Sequence, residues 1–222
     1  MRTPRTDWYR KIVLAVVVTA LVIGCLPPVP WPDIAYQHLP TLLALGIFVW
    51  LGVRQPLSNL SYSLLACFLL LHILGAHYLY SNVPYEAWSR ALFGRGINET
   101  FGLTRNHYDR LVHLMFGVLC TPLAAELAVR YGGVRSRVWA AVVAIAVVAL
   151  FAGVYEILEW VFTLLVSPDA AENYNGQQGD MFDAQKDQAL SFVGSLIAGN
   201  WVAVRGCPGG DGSAPSGRAA VK

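Results

Sequence analysis

Charged side chains are scarce in this chain of 222 residues. Asp, Glu, Lys and Arg make up 14% of it, whereas soluble domains carry about 25% charge, so a water-soluble domain is disfavoured. Hydrophobic residues reach 55% and the mean hydropathy is +0.48. That composition excludes a disordered chain, because such chains are rich in charge and poor in apolar residues. The net charge of +2 gives no indication of a nucleic-acid partner, and we expect none.

Cysteine is scarce too, with four residues and no CxxC pair. Cys25, Cys67 and Cys120 lie within long apolar runs, and Cys207 follows the last of these runs. This distribution argues against a disulfide framework and against a cysteine-rich zinc site.

The apolar residues are concentrated in six runs, and about 20 such residues cross a bilayer. The runs predict an all-α, polytopic membrane protein. Its bundle of six transmembrane helices forms one domain over residues 1–205, and a Gly-, Pro- and Ser-rich cytoplasmic tail over 206–222 is expected to be disordered. We expect the spans at about 12–26, 34–53, 60–80, 108–129, 139–166 and 182–204.

Basic residues predict the orientation, because cytoplasmic loops retain Lys and Arg. With the N-terminus inside, the cytoplasmic segments hold Arg2, Arg5, Arg10, Lys11, Arg54, Arg130, Arg135, Arg137, Arg205, Arg218 and Lys222. The outer segments hold fewer, namely Arg90, Arg95, Arg105, Arg110 and Lys186. We therefore expect both termini in the cytoplasm and a multi-pass protein of the bacterial inner membrane, surrounded by membrane lipids.

The first run has two interpretations. Basic residues before a short apolar stretch resemble a signal peptide, and residues 22–25 resemble a lipidation site at Cys25. The other interpretation is an uncleaved first helix, which we adopt because no A-x-A cleavage site follows.

A few ionisable residues lie inside the predicted spans, where each costs at least about 2.5 kcal/mol. Asp109 and His113 share one face of the fourth span, and Glu156 and Glu159 share one face of the fifth. The sixth span begins with the acidic stripe Asp180, Asp183 and Asp187. All three sets fall in the outer half of the bilayer, and none can face lipid. The sequence therefore predicts an outward-facing polar cavity between the fourth, fifth and sixth spans.

The candidate catalytic residues are Asp109, His113, Glu156, Glu159, Asp183 and Asp187. Crowded carboxylates need shared protons, basic partners or a bound cation. Carboxylates together with imidazole suit a divalent metal, for which Asp109, His113 and Asp187 are the candidate ligands. The spacing does not choose between these three solutions, so the cofactor stays open. Arg105, Arg110 and Lys186 are candidates for binding a phosphate head group.

Structural interpretations stand beside these. The whole acidic set can be an ion-pair network, and Asp180 is expected to cap the sixth span. We expect Glu126 to pair with Arg130, and His72 to be an ordinary hydrogen-bonded interior residue. The loop 81–107 contains a predicted helix that starts at Pro84 and ends at Gly94 or Gly96. It is either an interfacial helix on the outer surface or part of an ordinary folded loop.

Three blocks carry a resemblance to a family. GLTRNHYDRLVH at 102–113, EILEW at 156–160 and QGDMFDAQKD at 178–187 resemble the YjdF-type bacterial inner-membrane proteins, a family of unknown function. A more distant likeness is to the VanZ-like family, whose D-K-x-x-H and D-x-x-x-N-x-x-G patterns match Asp109, Arg110 and His113, then Asp187, Ser191 and Gly194. The resemblance implies the membrane fold and the site, and it names no reaction.

Three functions fit these observations. One is an intramembrane, metal-dependent hydrolase or transferase that acts on a lipid or lipid-linked envelope precursor. The second is a proton-coupled transporter, which needs polar access from the inside, where the spans look apolar apart from Glu126. The third is a non-catalytic envelope scaffold. We favour the first, and the sequence does not indicate the oligomeric state.

Overall fold

The computed structural model describes residues 4–26, 30–54 and 57–209, and within them every regular element is a helix. This confirms the predicted all-α fold. The helices are α1 (Pro4–Gly24), α2 (Trp31–Arg54), α3 (Asn59–His77), α4 (Tyr85–Phe93), α5 (Ile97–Phe101), α6 (Tyr108–Arg130), α7 (Arg137–Thr163), α8 (Pro168–Asn175) and α9 (Asp183–Arg205).

Four helices of the described part, α2, α3, α6 and α7, are long and apolar enough to cross a bilayer. The helices at the first and last predicted spans, α1 and α9, do not belong to that set. For α9 the reason is its inward face, which buries polar and small residues such as Asp187, Ser191 and Ser195, whereas Phe192 and Ile197 are exposed. The average hydropathy of a helix therefore underestimates how apolar its outward face is when its inward face presents polar groups to neighbouring helices.

Serine side chains begin several helices. Ser58, Ser136 and Ser167 each accept a hydrogen bond from a backbone N–H in the first turn of α3, α7 and α8, which satisfies a donor that the helix leaves unpaired. The predicted loop helix is confirmed as α4, and Gly94 ends it in the left-handed conformation, with φ 75°. The third span ends at His77 instead of residue 80, because the chain turns there.

The closest helix crossing joins α6 to α9. A Cβ added at Gly117 would meet the backbone of Ser191 and Ser195, and a Cβ added at Gly194 would meet the backbone carbonyl of Leu114. Small residues of this kind let two helix backbones approach inside a membrane. The crossing holds the first turns of α6 and α9 side by side.

The remaining long helices pack around this pair. On one side α1, α2 and α3 share an apolar cluster in which Phe48 stacks on Tyr62 with ring centroids 4.2 Å apart. On the other side α7 packs its alanines, Ala140, Ala141 and Ala144, against Val202 of α9.

The chain beyond α9 stays against the bundle for a few residues. Cys207 packs on the α6–α7–α9 cluster, and Arg130 donates a hydrogen bond to the Gly209 carbonyl at 3.4 Å. The packed part of the chain therefore extends to Gly209. The rest of the predicted tail, 210–222, lies outside the described residues, as do Arg2 and the Arg5 side chain.

Candidate functional site

Three helices bring acidic residues together at one end of the bundle, where α6 and α9 begin and α7 ends. We call this the acidic end and define it by Asp109, His113, Glu156, Glu159 and Asp187. His113 Nε2 lies 3.6 Å from Asp109 Oδ1 and 3.6 Å from Glu156 Oε1. The structure thus joins residues of α6 and α7 that the sequence placed on facing helix surfaces.

Three of these side chains form a compact ligand set. Asp109, His113 and Asp187 each offer one ligand atom, and the three atoms lie within 4.8 Å of one another. Ser191, one turn beyond Asp187, donates a hydrogen bond to the His113 backbone carbonyl at 3.0 Å and so fixes α9 against α6 at this level. The set matches the metal ligands proposed from the sequence.

Burial leaves part of this cluster unsatisfied. Asp187 is 2% exposed, and its Oδ1 has no hydrogen-bond partner among the residues that the structure describes. The same holds, within the described ranges, for Glu156 Oε1 and Arg110 Nε. A buried polar atom without a partner is costly, so each one needs a reason. A bound group with positive charge would give the unpartnered oxygens of Asp187 and Glu156 a partner.

The predicted phosphate-binding cations are engaged by two other carboxylates. Arg105 Nη1 lies 2.7 Å from Asp183 Oδ1, and Arg110 Nη2 lies 2.9 Å from the same oxygen and 2.6 Å from Asp180 Oδ2. Lys186 Nζ lies 2.6 Å from Asp180 Oδ2. Asp183 therefore belongs to this ion-pair cluster and not to the ligand set.

The predicted cap role of Asp180 is wrong. The residue before α9 is Phe182, and within the described residues no side chain caps this helix. Asp180 lies in the preceding turn, where hydrogen bonds from Lys186 and Arg110 hold the pKa of its carboxyl well below the usual range. Its carboxylate binds Arg110 and Lys186 and accepts a hydrogen bond from Phe182 N at 3.1 Å, which orders the turn before α9.

Negative charge exceeds positive charge at the acidic end. The ion-pair cluster uses Arg105, Arg110 and Lys186 on Asp180 and Asp183. Four carboxylates remain, namely Asp109, Glu156, Glu159 and Asp187. The positive groups near them are His113, if protonated, and Arg110, whose Nε lies 4.0 Å from Asp187 Oδ1. Closely spaced carboxylates cannot all stay ionised without protons or a cation between them.

A cavity of about 260 Å³ opens beside the ligand set, but not where the sequence placed it. It lies between α2, α3, α6 and α7, whereas α6 and α9 pack closely at Gly117 and Gly194, further along both helices than the ligand set. Asp109, His113 and Glu159 line one part of it. Apolar side chains line most of the rest, among them Leu43, Ile47, Phe68, Phe116 and Phe151.

Sequence reasoning did not place several polar residues at this cavity, although it correctly expected His72 to be a hydrogen-bonded interior residue. His72, Tyr80, Tyr155 and Tyr174 line it beside the acids. Burial raises the pKa of Tyr174 to about 12, and the nearby Glu159 adds to the effect. The available signal was a set of hydroxyl-bearing aromatic residues near the outer ends of the predicted spans, but aromatic residues there are usually interface anchors.

Helix α8 covers the cavity at this end. Tyr174 packs on Phe162 of α7 with ring centroids 4.2 Å apart. Gln37 of α2, which is buried, donates hydrogen bonds to the carbonyls of Asn173 and Tyr174 at 3.3 and 3.0 Å. These contacts join α8 to both walls of the cavity.

A second buried acid lies at the other end of α6. Glu126 is fully buried and accepts hydrogen bonds from Ser58 N, Ser58 Oγ and Ser61 Oγ at 2.6, 2.8 and 2.5 Å. Arg130 Nη2 lies 2.7 Å from Glu126 Oε1, the oxygen that also accepts from Ser58 N, so the predicted Glu126–Arg130 pair is confirmed. Its oxygens are satisfied, which makes Glu126 a structural residue.

Comparisons with known proteins agree with the resemblance that the sequence blocks indicated. The family described as "Predicted membrane protein (DUF2238)" matches residues 9–206. The chain is also 30% identical over 157 residues to the protein named inner membrane protein YjdF of Escherichia coli (strain K12), and the match covers 71% of each chain. No solved structure matches. The chain therefore belongs to the DUF2238 family of predicted membrane proteins.

Proposed function

We propose that this protein is a six-span inner-membrane enzyme with both termini in the cytoplasm. In this proposal Asp109, His113 and Asp187 hold a divalent cation that serves hydrolysis or group transfer on a lipid or lipid-linked envelope precursor. The observation that carries the proposal is the compact ligand set beside an apolar cavity, with an unpartnered Asp187 oxygen among the described residues.

Contacts at the end opposite the acids support the topology. Arg10 of α1 donates a hydrogen bond to the Leu57 carbonyl at 2.5 Å, which brings the start of α1 to the α2–α3 connection. Glu126 and Arg130 contact the same connection. Arg10 and Arg130, both assigned to the cytoplasm, thus lie at the same end, as the retention of Lys and Arg in cytoplasmic loops predicts. The match to a named inner membrane protein supports the location.

The donor set suits a borderline metal. Two carboxylates and one imidazole are typical of zinc or manganese, whereas calcium and magnesium prefer oxygen ligands alone. A metal with an open position polarises a carbonyl or phosphoryl oxygen and activates water. Glu159 reaches the cavity and Glu156 approaches His113, so either is placed to accept a proton from that water.

The surroundings favour a lipid substrate. The cavity walls are mainly apolar, which suits a hydrocarbon chain. Exposed apolar side chains surround the acidic end, among them Leu92, Phe93, Phe101, Met181 and Phe182, as expected where a protein meets the membrane interface. A phosphate head group would compete with Asp180 and Asp183 for Arg105 and Arg110.

Metal analysis of the purified protein tests the proposal. We expect about one equivalent of zinc or manganese after EDTA treatment and reloading, and at least a tenfold loss of bound metal in Asp187→Asn and in His113→Gln. Glu99→Gln is the matched control, since Glu99 is an exposed acid on α5. No metal in the wild type, or equal metal in all three variants, would overturn the metal site.

Lipid analysis of cells tests the substrate. A strain that lacks the gene should accumulate a lipid or lipid-linked precursor, and the wild-type gene but not Asp187→Asn should remove it. If every acid-to-amide variant restores the normal lipid profile, the scaffold interpretation is correct instead.

The transporter interpretation has weaker support. Between the acidic end and Glu126, α6 packs Gly117 directly on the backbone of α9, and the intervening part of α6 carries only Cys120 as an ionisable side chain. Proton-dependent uptake into vesicles that disappears in Glu156→Gln would favour a transporter over an enzyme.

A further inference from the structure

Four polar side chains form a hydrogen-bonded chain away from the ligand set. His38 Nδ1 lies 3.1 Å from Thr41 Oγ1 on α2, and Thr41 Oγ1 lies 2.7 Å from His72 Nε2 on α3. His72 Nδ1 in turn bonds the Tyr80 hydroxyl. All four residues are buried, in a part of the bundle where polar groups are costly.

A strained turn delivers the last member of this chain to the cavity. Leu79 and Tyr80 both have φ 53°, in the left-handed region that residues other than glycine rarely adopt. The turn folds Tyr80 back over α3, where its backbone N–H donates to the Gly75 carbonyl at 2.7 Å. A Cβ at position 75 would lie 2.6 Å from the Tyr80 ring, so the ring needs a glycine beneath it. Strain that persists in a fold is concentrated at functional sites.

The hydrogen-bonded chain of side chains has two different ends. At one end the Tyr80 ring lines the cavity, where Asp109 and Glu159 act on it electrostatically. At the other end His38 Nε2 is buried, and no hydrogen bond of good geometry reaches it within the described residues. The ring lies against the backbone of Gly24 at the end of α1, which also acts on it electrostatically. His77 Nδ1 bonds the Gly24 carbonyl at 3.0 Å, so a second histidine lies beside this end.

The chain can be polarised in either direction, because both of its histidine rings and both of its hydroxyls can donate and accept. We propose that Tyr80, His72, Thr41 and His38 form a proton relay that makes Tyr80 the proton donor to the group bound in the cavity. His38 Nε2 takes a proton from solvent water, and the Nδ1 proton passes to Thr41 Oγ1. The Thr41 hydroxyl proton passes to His72 Nε2, the His72 Nδ1 proton passes to Tyr80, and the Tyr80 hydroxyl proton leaves into the cavity. Each residue gains one proton and loses one, so no net charge remains on the chain.

The chemical purpose of the relay rests on the proposed function, in which a leaving group needs a proton, but the relay itself needs neither metal nor substrate. The competing explanation is a static network that only ties α2 to α3. A relay requires His72 to exchange between its two neutral tautomers, because passage of one proton moves the ring proton from Nδ1 to Nε2. A static network holds a single tautomer.

Nitrogen NMR of ¹⁵N-histidine-labelled, EDTA-treated protein in lipid nanodiscs tests the relay. We expect His72 to show both tautomers in exchange, with His72→Gln used to assign its signals. Thr41→Val keeps the size of the side chain and removes the hydroxyl, so it should abolish the exchange or slow it at least tenfold. Thr41→Ser keeps the hydroxyl and should preserve the exchange.

The other outcomes are decisive as well. A single His72 tautomer in the wild type, or equal exchange in Thr41→Val and wild type, would overturn the relay. If Thr41→Val does not fold, Tyr80→Phe interrupts the chain at its other end and should give the same single tautomer. Because the sample is free of metal and substrate, failure of the proposed enzyme function leaves this result unchanged and appears separately, in the metal analysis.

Discussion

The two ends of α6 carry buried acids that the protein treats differently. Glu126 meets two serines and an arginine, and both of its oxygens are satisfied. Asp187, which packs beside the start of α6, keeps one oxygen without a partner within the described residues. Both carboxylates are almost completely buried. Burial alone therefore does not separate these two acids, whereas the state of their hydrogen bonds does, and the proposed ligand role of Asp187 rests on that difference.

The largest change in the free energy of unfolding is expected for substitution of Glu126. Glu126→Ala leaves Arg130 and the serine donors beside an empty site, and breaking a buried ion pair costs about 3–5 kcal/mol of unfolding free energy. Equilibrium unfolding in mixed micelles measures the loss. Glu126→Gln keeps the shape and should lose less. An unchanged stability in Glu126→Ala would remove the contrast between the two ends.

The second prediction concerns the stabilisation of the protein by a metal bound at the acidic end. A metal that binds only the folded protein stabilises it by about 2.7 kcal/mol when its concentration is 100 times the Kd. We expect zinc or manganese to raise the melting temperature of the wild type and of Glu99→Gln, and to leave Asp187→Asn unchanged. The measurement is thermal unfolding with and without added metal. An equal rise in all three proteins would show that the metal binds elsewhere.

The third prediction concerns the stability of the metal-free protein, on which substitution of Asp187 should have the opposite effect to substitution of Glu126. Without metal, Asp187→Asn removes a buried charge that lacks a full set of partners, whose cost is about 1–3 kcal/mol. The metal-free variant should be as stable as the wild type or more stable. Equilibrium unfolding after EDTA treatment measures this. A clear loss of stability would mean that Asp187 is a structural acid like Glu126.

The smallest effect depends on pH and concerns Asp180. Since its folded pKa lies below the unfolded value of about 4, its contribution to stability is present above pH 4 and is lost as the pH falls towards the folded pKa. The melting temperature of the wild type should exceed that of Asp180→Asn at pH 7, and the difference should shrink below pH 4. A difference that grows on acidification would contradict the ion-pair assignment.

Much of the site was predictable because helix periodicity decides which residues share a face. Asp109 with His113, and Glu156 with Glu159, are one turn apart, and the cost of charge in lipid requires their faces to meet. The family resemblance is confirmed as well.

What the sequence could not predict depends on backbone geometry. The cavity lies beside α2 and α3, and Gly117 and Gly194 bring α6 and α9 into close contact, but a glycine in a sequence does not indicate which helix it contacts. Tyr80 and His72 join the cavity through a turn with positive φ at two residues that are not glycine. No propensity predicts that conformation. His72 is the hydrogen-bonded interior residue that the sequence predicts, but its partners Thr41 and Tyr80 follow from the packing.

X-ray absorption spectroscopy of the zinc-loaded protein tests the central claim most directly. The ligand set of Asp109, His113 and Asp187 predicts one imidazole and otherwise oxygen ligands, with zinc–ligand distances of about 2.0–2.2 Å. The imidazole signal should disappear in His113→Gln, whereas Glu99→Gln should leave it intact. A spectrum without an imidazole, or with one that persists in His113→Gln, would contradict the account.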